Sequence, residues 1–271
     1  MIDVQGISKR FGSVQAVDAV SFQARDGEIT GLLGHNGAGK STTLRILSTV
    51  IAADSGTATI DGHDCKRAAL EVRQRLGVLP HGSGLYPNLT ARENIAYFAR
   101  LRGLADDAIE DPLRALIEQL DMRDFIDRRA KGFSQGQKLK TALARALIHR
   151  PQNILLDEPT SGLDVTSVRS LRELLRRLKS MGCCVLFSSH VMQEVSALCD
   201  DIVIIAHGRV VADGAPDAIR EAMQTDDLEE AFMRAVEDAP GAAPTPALPR
   251  SAREGAAPTP TLPRSAGEGE E

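Results

Sequence analysis

Residues 34–41 read Gly-His-Asn-Gly-Ala-Gly-Lys-Ser, the spacing G-x-x-x-x-G-K-S/T. The apolar run Ile29–Leu33 precedes this octet, and Ser41–Leu47 follows it with helical character. Strand, glycine-rich turn and helix in that order aim successive backbone N–H groups and a helix N-terminus at one point, where a phosphate fits. Gly34, Gly37 and Gly39 let the backbone turn tightly and approach an anion closely. Lys40 is placed to reach the outer phosphates of a nucleotide, and the Ser41 hydroxyl to ligate Mg²⁺.

A second apolar strand, Asn153–Leu156, ends in two acids, Asp157 and Glu158. Asp157 is placed to hold Mg²⁺ through water, and Glu158 to orient or deprotonate a water attacking a γ-phosphate. Ahead of this strand, Gly132-Phe133-Ser134-Gln135-Gly136-Gln137-Lys138 opens a helical run to Ile148. Small residues at a helix start make another anion site of the N-terminal type. One nucleotide does not need two such surfaces on one chain. The economical explanation is that the second caps a nucleotide held by another subunit.

With these motifs in order, the chain resembles the ATP-binding subunit of an ABC transporter from about residue 2 to residue 222. Phe11 resembles the aromatic residue that stacks on adenine. His35, Asn36, Ala38 and Thr42 complete the phosphate loop with Gly34, Gly37, Gly39, Lys40 and Ser41. Ser134, Gly136 and Gln137 match the signature that usually reads Leu-Ser-Gly-Gly-Gln. Ser161-Gly162-Leu163-Asp164 matches the loop that crosses to the partner subunit, and His190, after Val185–Ser189, the switch histidine that contacts the γ-phosphate. The resemblance implies a P-loop NTPase fold of the ABC ATPase type. Its parts are a mainly parallel α/β sheet core, an N-terminal antiparallel β subdomain and a helical signature subdomain.

Two departures stand out. The signature carries Phe133 for Leu and Gln135 for Gly, while Ser134 and Gly136 keep the hydroxyl and the close backbone approach. After Leu76–Pro80, the family usually places a glutamine that senses Mg²⁺ and the attacking water; here that residue is His81. A neutral imidazole accepts from a metal-bound water or ligates the metal, and loses that ability on protonation. The alternative is that His81 fills a tolerant loop position. The string Gly84–Asn94 resembles the exporter branch of the family, in particular subunits of sodium-efflux and drug-efflux systems.

The rest of the chain fits an intracellular α/β protein. Hydrophobic residues are 42% and charged residues 25% of 271, ordinary for a globular chain. Aromatics are 3% with no Trp and the net charge is −5, which argues against a nucleic-acid partner. Met1–Gln5 lacks the charged and apolar regions of a signal peptide, and every apolar run is far short of the ~20 residues that span a bilayer. The expected place is therefore the cytoplasmic face of the cell membrane, against a separate integral membrane permease. Cys65, Cys183, Cys184 and Cys199 form no C-x-x-C pair; Cys183 and Cys184 read as core residues of a strand.

Residues 2–30 read as short strands and 57–63 as another. The stretch 88–150 is helical in character, with helical apolar spacing at 91–98 and 108–120. Val168, Leu171, Leu174, Leu175 and Leu178 mark the buried face of a crossover helix. Helices alternating with strands at 153–157, 183–189 and 202–206 imply a mainly parallel sheet. Residues 1–224 then form the ATPase domain, 225–238 a C-terminal helix with Leu228, Ala231, Phe232 and Ala235 on one face, and 239–271 a disordered tail. In that tail 242–255 and 256–269 are near copies, rich in proline and poor in large apolar residues.

The resemblance implies an ATPase, with ATP and Mg²⁺ as ligands, that works as a head-to-tail homodimer. It would power export of sodium ions or a drug-like compound through the permease. Two other classes remain open at this stage. One is an ABC ATPase acting on DNA or ribosomes, against which stand the missing internal coiled coil and the single nucleotide domain. The other is a nucleotide-binding regulator without turnover, against which stand Lys40, Asp157, Glu158 and His190.

Overall fold

The computed structural model describes residues 1–82 and 84–237. In chain order the strands and helices are β1 (Ile2–Phe11), β2 (Val14–Ala24), β3 (Ile29–Leu33), α1 (Lys40–Leu47), β4 (Ser55–Ile60), β5 (His63–Asp64), α2 (Ala69–Arg75) and β6 (Leu76–Leu79). Then come α3 (Ala91–Leu101), α4 (Glu110–Gln119), α5 (Gln135–Leu147), β7 (Asn153–Asp157), α6 (Val165–Ser180) and β8 (Cys184–Ser189). The chain continues through α7 (Met192–Leu198), β9 (Asp201–Ala206), β10 (Arg209–Gly214), α8 (Pro216–Ala222) and α9 (Leu228–Glu237).

Six strands form the central sheet in the order β10-β9-β3-β8-β7-β6. All neighbours pair in parallel except β10, which runs antiparallel at one edge. Strands β3, β7 and β8 are buried along their whole length, as a sheet covered on both faces requires. The pleat divides their side chains between two cores. Ile29, Leu33, Ile154, Leu156, Val185 and Phe187 face the cluster formed with α3 to α6. Leu32, Leu155, Cys184, Leu186, Val203 and Ile205 face the cluster shared with α1 and the second sheet. Phe187 is among the largest fully buried side chains, so truncating it would cost roughly 3–5 kcal/mol.

The second sheet is antiparallel, in the order β2-β1-β4-β5. The expectation of short strands across 2–30 is corrected here: β1 and β2 form a ten- and an eleven-residue hairpin. Register shifts after Val4 and Ile7 break the apolar alternation, which makes the strands read as pieces. Serine hydroxyls fill the resulting gaps in the ladder: Gly6 N–H donates to Ser21 Oγ (2.8 Å) and Ala19 N–H to Ser8 Oγ (2.9 Å). The strand expected at 57–63 is likewise split. It starts at Ser55, stops at Ile60, turns through Asp61-Gly62 and pairs back through His63 and Asp64.

Between β6 and β7 the chain leaves the sheet. Helices α3, α4 and α5 pack on one another, with Ile95, Leu113, Leu116 and Leu143 in their common core. Thr90 opens α3 in a reciprocal capping box with Glu93. Helix α6 buries Leu171, Leu174, Leu175 and Leu178. Helix α9 buries Leu228, Ala231, Phe232 and Ala235 against the same core. The repeat region expected at 239–271 lies outside the described residues. Cys183 and Cys184 are buried, and burial pushes the Cys184 thiol up to about 12.

Candidate functional site

In a parallel sheet, ligands bind beyond the carboxyl ends of the strands. Three central strands end side by side: Leu33 pairs with Ser189, and Asp157 with Ser188. The chain leaves these ends through Gly34, His190 and Glu158. The sheet register thus brings together motifs more than a hundred residues apart.

The turn after β3 has no room for a side chain at two positions, Gly34 and Gly39. A Cβ on Gly34 would overlap the carbonyl oxygen of Ile205. Gly39 caps α1 at φ 112°, a left-handed backbone where a Cβ would come within 2.6 Å of Ala16 O. No side chain caps α1 and no acidic residue lies in its first turn, so its N-terminal N–H groups remain for an anion. His35, Asn36 and Gly37 are exposed, Ala38 and Gly39 buried, Ser41 and Thr42 half-buried. The His35 ring also meets Phe232 of α9 edge-on, with centroids 5.0 Å apart.

Lys40 is only 4% exposed. Its ammonium donates to Gly34 O (2.7 Å) and His35 O (3.1 Å) and lies 3.9 Å from Glu158 Oε1. Burial pulls its pKa below the usual lysine range, and Glu158 and then Asp157 push back. A phosphate at the loop would supply the anion that this buried cation otherwise finds in carbonyl oxygens and one carboxylate.

Asp157 is held by two hydroxyls: Ser188 Oγ donates to Oδ1 at 2.7 Å and Ser41 Oγ at 3.1 Å. Hard oxygen donors of this kind suit Mg²⁺, which takes one or two protein ligands at nucleotide sites and fills the rest with phosphate and water. No cluster of three or more His, Cys, Asp or Glu side chains suited to a metal occurs among the described residues.

Glu158 follows at φ 49°, a left-handed backbone rare for a glutamate, and its N–H donates to Ser188 Oγ at 3.0 Å. Three basic side chains surround its carboxylate. Besides Lys40, His190 Nδ1 lies 3.4 Å from Oε1 and His81 Nδ1 3.8 Å from Oε2. Glu158 is 15% exposed, whereas His190 and His81 stand at 47% and 61%. The carboxylate therefore sits at the floor of an opening rimmed by two imidazoles. His81, singled out because it replaces a usual glutamine, lies beside Glu158.

Other sequence-predicted residues lie apart. Ser134 caps α5: its hydroxyl accepts from Gln137 N (3.2 Å), and Gln137 Oε1 accepts from Ser134 N (3.1 Å). Gly136 is where a Cβ would come within 2.7 Å of Ser167 Oγ on α6. Among the described residues, no hydrogen bond or ion pair links Ser134, Gly136 or Gln137 to Lys40, Asp157 or Glu158. Phe133 is buried edge-on against Phe125, with centroids 5.3 Å apart, so its bulk is absorbed by the core beneath the segment. Phe11 is 40% exposed at the end of β1, under the Lys9 ammonium at 5.7 Å. Its hairpin touches the phosphate loop where Ala16 O meets Gly39.

Sequence reasoning missed Ser188. Its hydroxyl joins the Asp157 side chain to the Glu158 backbone and is fully buried. The available signal was a pair of serines closing an otherwise apolar strand, directly before His190.

The sequence pattern of the ABC transporter family matches residues 17–161. The chain belongs to that family. It is 44% identical over 238 residues to the ABC transporter ATP-binding protein NatA of Bacillus subtilis (strain 168), covering 86% of this chain and 97% of that protein. It is 39% identical over 220 residues to the Nod factor export ATP-binding protein I of Burkholderia lata, covering 81% of this chain and 72% of that one. The linearmycin resistance ATP-binding protein LnrL of Bacillus subtilis (strain 168) is 32% identical over 239 residues, at 88% and 77% coverage. Among solved structures, an ATP-binding subunit of an ABC transporter superposes with a TM-score of 0.80 at 28% identity, covering 87% of this chain and 99% of that one. A dimeric, post-hydrolysis ATP-binding cassette bound to ADP and Pi shares the fold, with a TM-score of 0.72 at 23% identity and 79% and 98% coverage. The ABC subunit described here is thus an exporter-type ATPase that binds nucleotide. No helix among its described residues is long and apolar enough to cross a membrane.

Proposed function

We propose that two copies of this ABC subunit pair head to tail, each binding MgATP in its own phosphate loop and covering its partner's with Ser134, Gly136 and Gln137. The observation that carries this reading is the division of the site. Lys40, Asp157, Glu158, His81 and His190 converge at the strand ends, while the Ser134 segment opens α5 and, among the described residues, makes no hydrogen bond or ion pair to them. Residues 1–224 form the ATPase domain in this reading, with Phe11 as the surface on which adenine stacks.

Ser41 and Asp157 would hold Mg²⁺, which when bound would offset the negative charge of the phosphates. Phosphate draws Lys40 away from Gly34 O, His35 O and Glu158. Glu158, relieved of one cation, accepts a proton from the attacking water. His190 donates toward the γ-phosphate, and His81 takes the glutamine's usual place beside the water. Water attack breaks the bond between the β- and γ-phosphates, giving ADP and inorganic phosphate, and once the phosphate departs the dimer reopens. A separate membrane permease, met on the cytoplasmic face, couples this cycle to export. The name of one relative, the Nod factor export ATP-binding protein I, supports export as the direction, and the cargo is selected by the permease.

Glu158→Gln tests this reading. It preserves size and removes the base. Turnover should fall by about 10²–10⁴-fold with nucleotide affinity retained. Gel filtration with ATP should show a trapped dimer. A variant that stays monomeric and hydrolyses at the parental rate would remove Glu158 from the mechanism.

A further inference from the structure

The segment from His81 to Thr90 carries the chain from β6 to α3, and so from the sheet into the three-helix region, which the chain leaves again from α5 into β7. Its far end is fastened by one buried amide. Asn94 Oδ1 accepts from Tyr86 N (2.8 Å), and Asn94 Nδ2 donates to Tyr86 O (3.1 Å) and Thr90 O (2.9 Å). The Tyr86 ring adds contacts to Tyr97 and Phe98 of α3, at centroid distances of 5.4 Å and 6.4 Å.

The near end is held differently. Arg145, in the last turn of α5, is 8% exposed, and its Nη1 donates to Gly84 O at 2.8 Å. Its guanidinium lies over the Phe98 ring, 4.3 Å from the centroid. Gly84 is three residues beyond His81, and its backbone is left-handed at φ 53°. One planar cation thus joins the helix that begins at Ser134, the helix that carries Phe98, and the loop that carries His81. Burial pulls Arg145 below the usual arginine range, with Tyr86 acting in the opposite direction. A guanidinium stays charged in spite of that cost, and its rigid fork can address a carbonyl while its face lies on a ring. A packing role alone would not use either property.

We propose that Arg145 is a positioning residue for hydrolysis: it holds the His81 loop against α5, so that the loop bearing His81 and the helix bearing Ser134 keep a fixed relation. The proposal rests on the assignment of His81 to the chemistry made above. Coverage of a partner's nucleotide by Ser134 then reports to the chain's own Glu158 through α5, Arg145, Gly84 and His81.

A double-mutant cycle on the purified full chain tests this, with Arg145→Met, His81→Ala and the pair. The readouts are kcat and KM for MgATP, affinity for a fluorescent ATP analogue, and the melting temperature. Arg145→Met should lower kcat by about tenfold, the scale of a small misplacement of a reacting group, with KM and analogue affinity within about threefold. Once His81 is alanine, the same substitution should lower kcat by no more than about twofold, because the loop then has nothing to position. Two multiplied single effects, or an Arg145→Met enzyme with parental kcat, overturn the proposal. A parental kcat in His81→Ala overturns the assignment of His81, and with it this inference. A low kcat in His81→Ala with multiplicative effects overturns only Arg145's role. If Arg145→Met does not fold, Phe98→Leu withdraws the ring from the guanidinium and keeps an apolar side chain on α3. It should show the same non-additivity with His81→Ala, and multiplicative effects there also overturn the proposal.

Discussion

Replacing Ser188 with alanine removes one oxygen atom from the centre of the sheet, and the structure sets the size of the effect. The hydroxyl donates to Asp157 Oδ1 at 2.7 Å and accepts from Glu158 N at 3.0 Å, and the residue is fully buried. The first is a charge-assisted bond, worth roughly 1.5–3 kcal/mol. Loss of the second strands a backbone N–H away from water, at roughly 1–3 kcal/mol. The two share an atom and do not add fully, so the variant should lose about 2–4 kcal/mol in urea unfolding. Function should suffer separately. Glu158 sits at φ 49°, and the hydrogen bond that its N–H donates to Ser188 Oγ holds that backbone in place. Released, the carboxylate drifts from His190 and His81. We expect kcat to fall about 10–100-fold with KM changed by less than about threefold, since the phosphate loop is untouched. Parallel urea curves and steady-state ATPase measurements suffice. A stability loss under about 0.5 kcal/mol together with kcat within about twofold would refute the reasoning, by showing that Asp157 and Glu158 hold their places unaided.

Two other outcomes are expected. Ser134→Arg should block hydrolysis while the isolated subunit binds a fluorescent ATP analogue within about threefold of the parent; it forfeits a helix cap worth about 1 kcal/mol, so melting is measured alongside. A large loss of affinity in the monomer would mean that the segment serves its own nucleotide. His149 bears on stability against pH. Burial, and then the nearby Arg102, pull its imidazole down to about 4 from an ordinary 6.5. The unfolded chain therefore takes up this proton first, so the contribution is complete above about pH 6.5 and is lost as pH falls toward 4. Discounted for partial exposure, it amounts to about 1 kcal/mol by pH 5. His149→Gln should flatten the stability curve between pH 7 and 5, and a curve parallel to the parent's would remove His149 from the acid response.

What could be read in the sequence follows chain locality. The phosphate loop was legible because strand, turn and helix are contiguous; Gly37 and Gly39 meet a local demand for positive φ, whereas Gly34 answers to Ile205 on another strand. The Asp157-Glu158 pair was legible as the end of an apolar run. The hairpin at the N-terminus was misjudged because bulges reset the alternation that periodicity depends on, and the serine hydroxyls that repair the ladder sit across the hairpin from the gaps they fill. The turn at Asp61-Gly62 was missed for a similar reason, since a two-residue strand carries too few positions to show a period.

Ser188 and Arg145 failed to show for a stronger reason. Ser188 acquires meaning only when β8 lies beside β7 in the register that opposes it to Asp157. A shift of one residue would point its hydroxyl to the opposite face of the sheet. Arg145 reads as an ordinary charged position in a helix until α5 lies beneath Phe98 and Gly84. Both are groups that hold other groups. The residues expected to touch nucleotide cluster in short motifs, because a phosphate is small and contiguous backbone can surround it. The residues that fix the motifs relative to one another come from wherever the fold brings a hydroxyl or a guanidinium within reach. His81 stands between the two kinds. Its place after β6 was visible, but its relation to Glu158 depends on β6 ending beside β7, and in our proposal its constancy there depends on Arg145 at the near end of its loop.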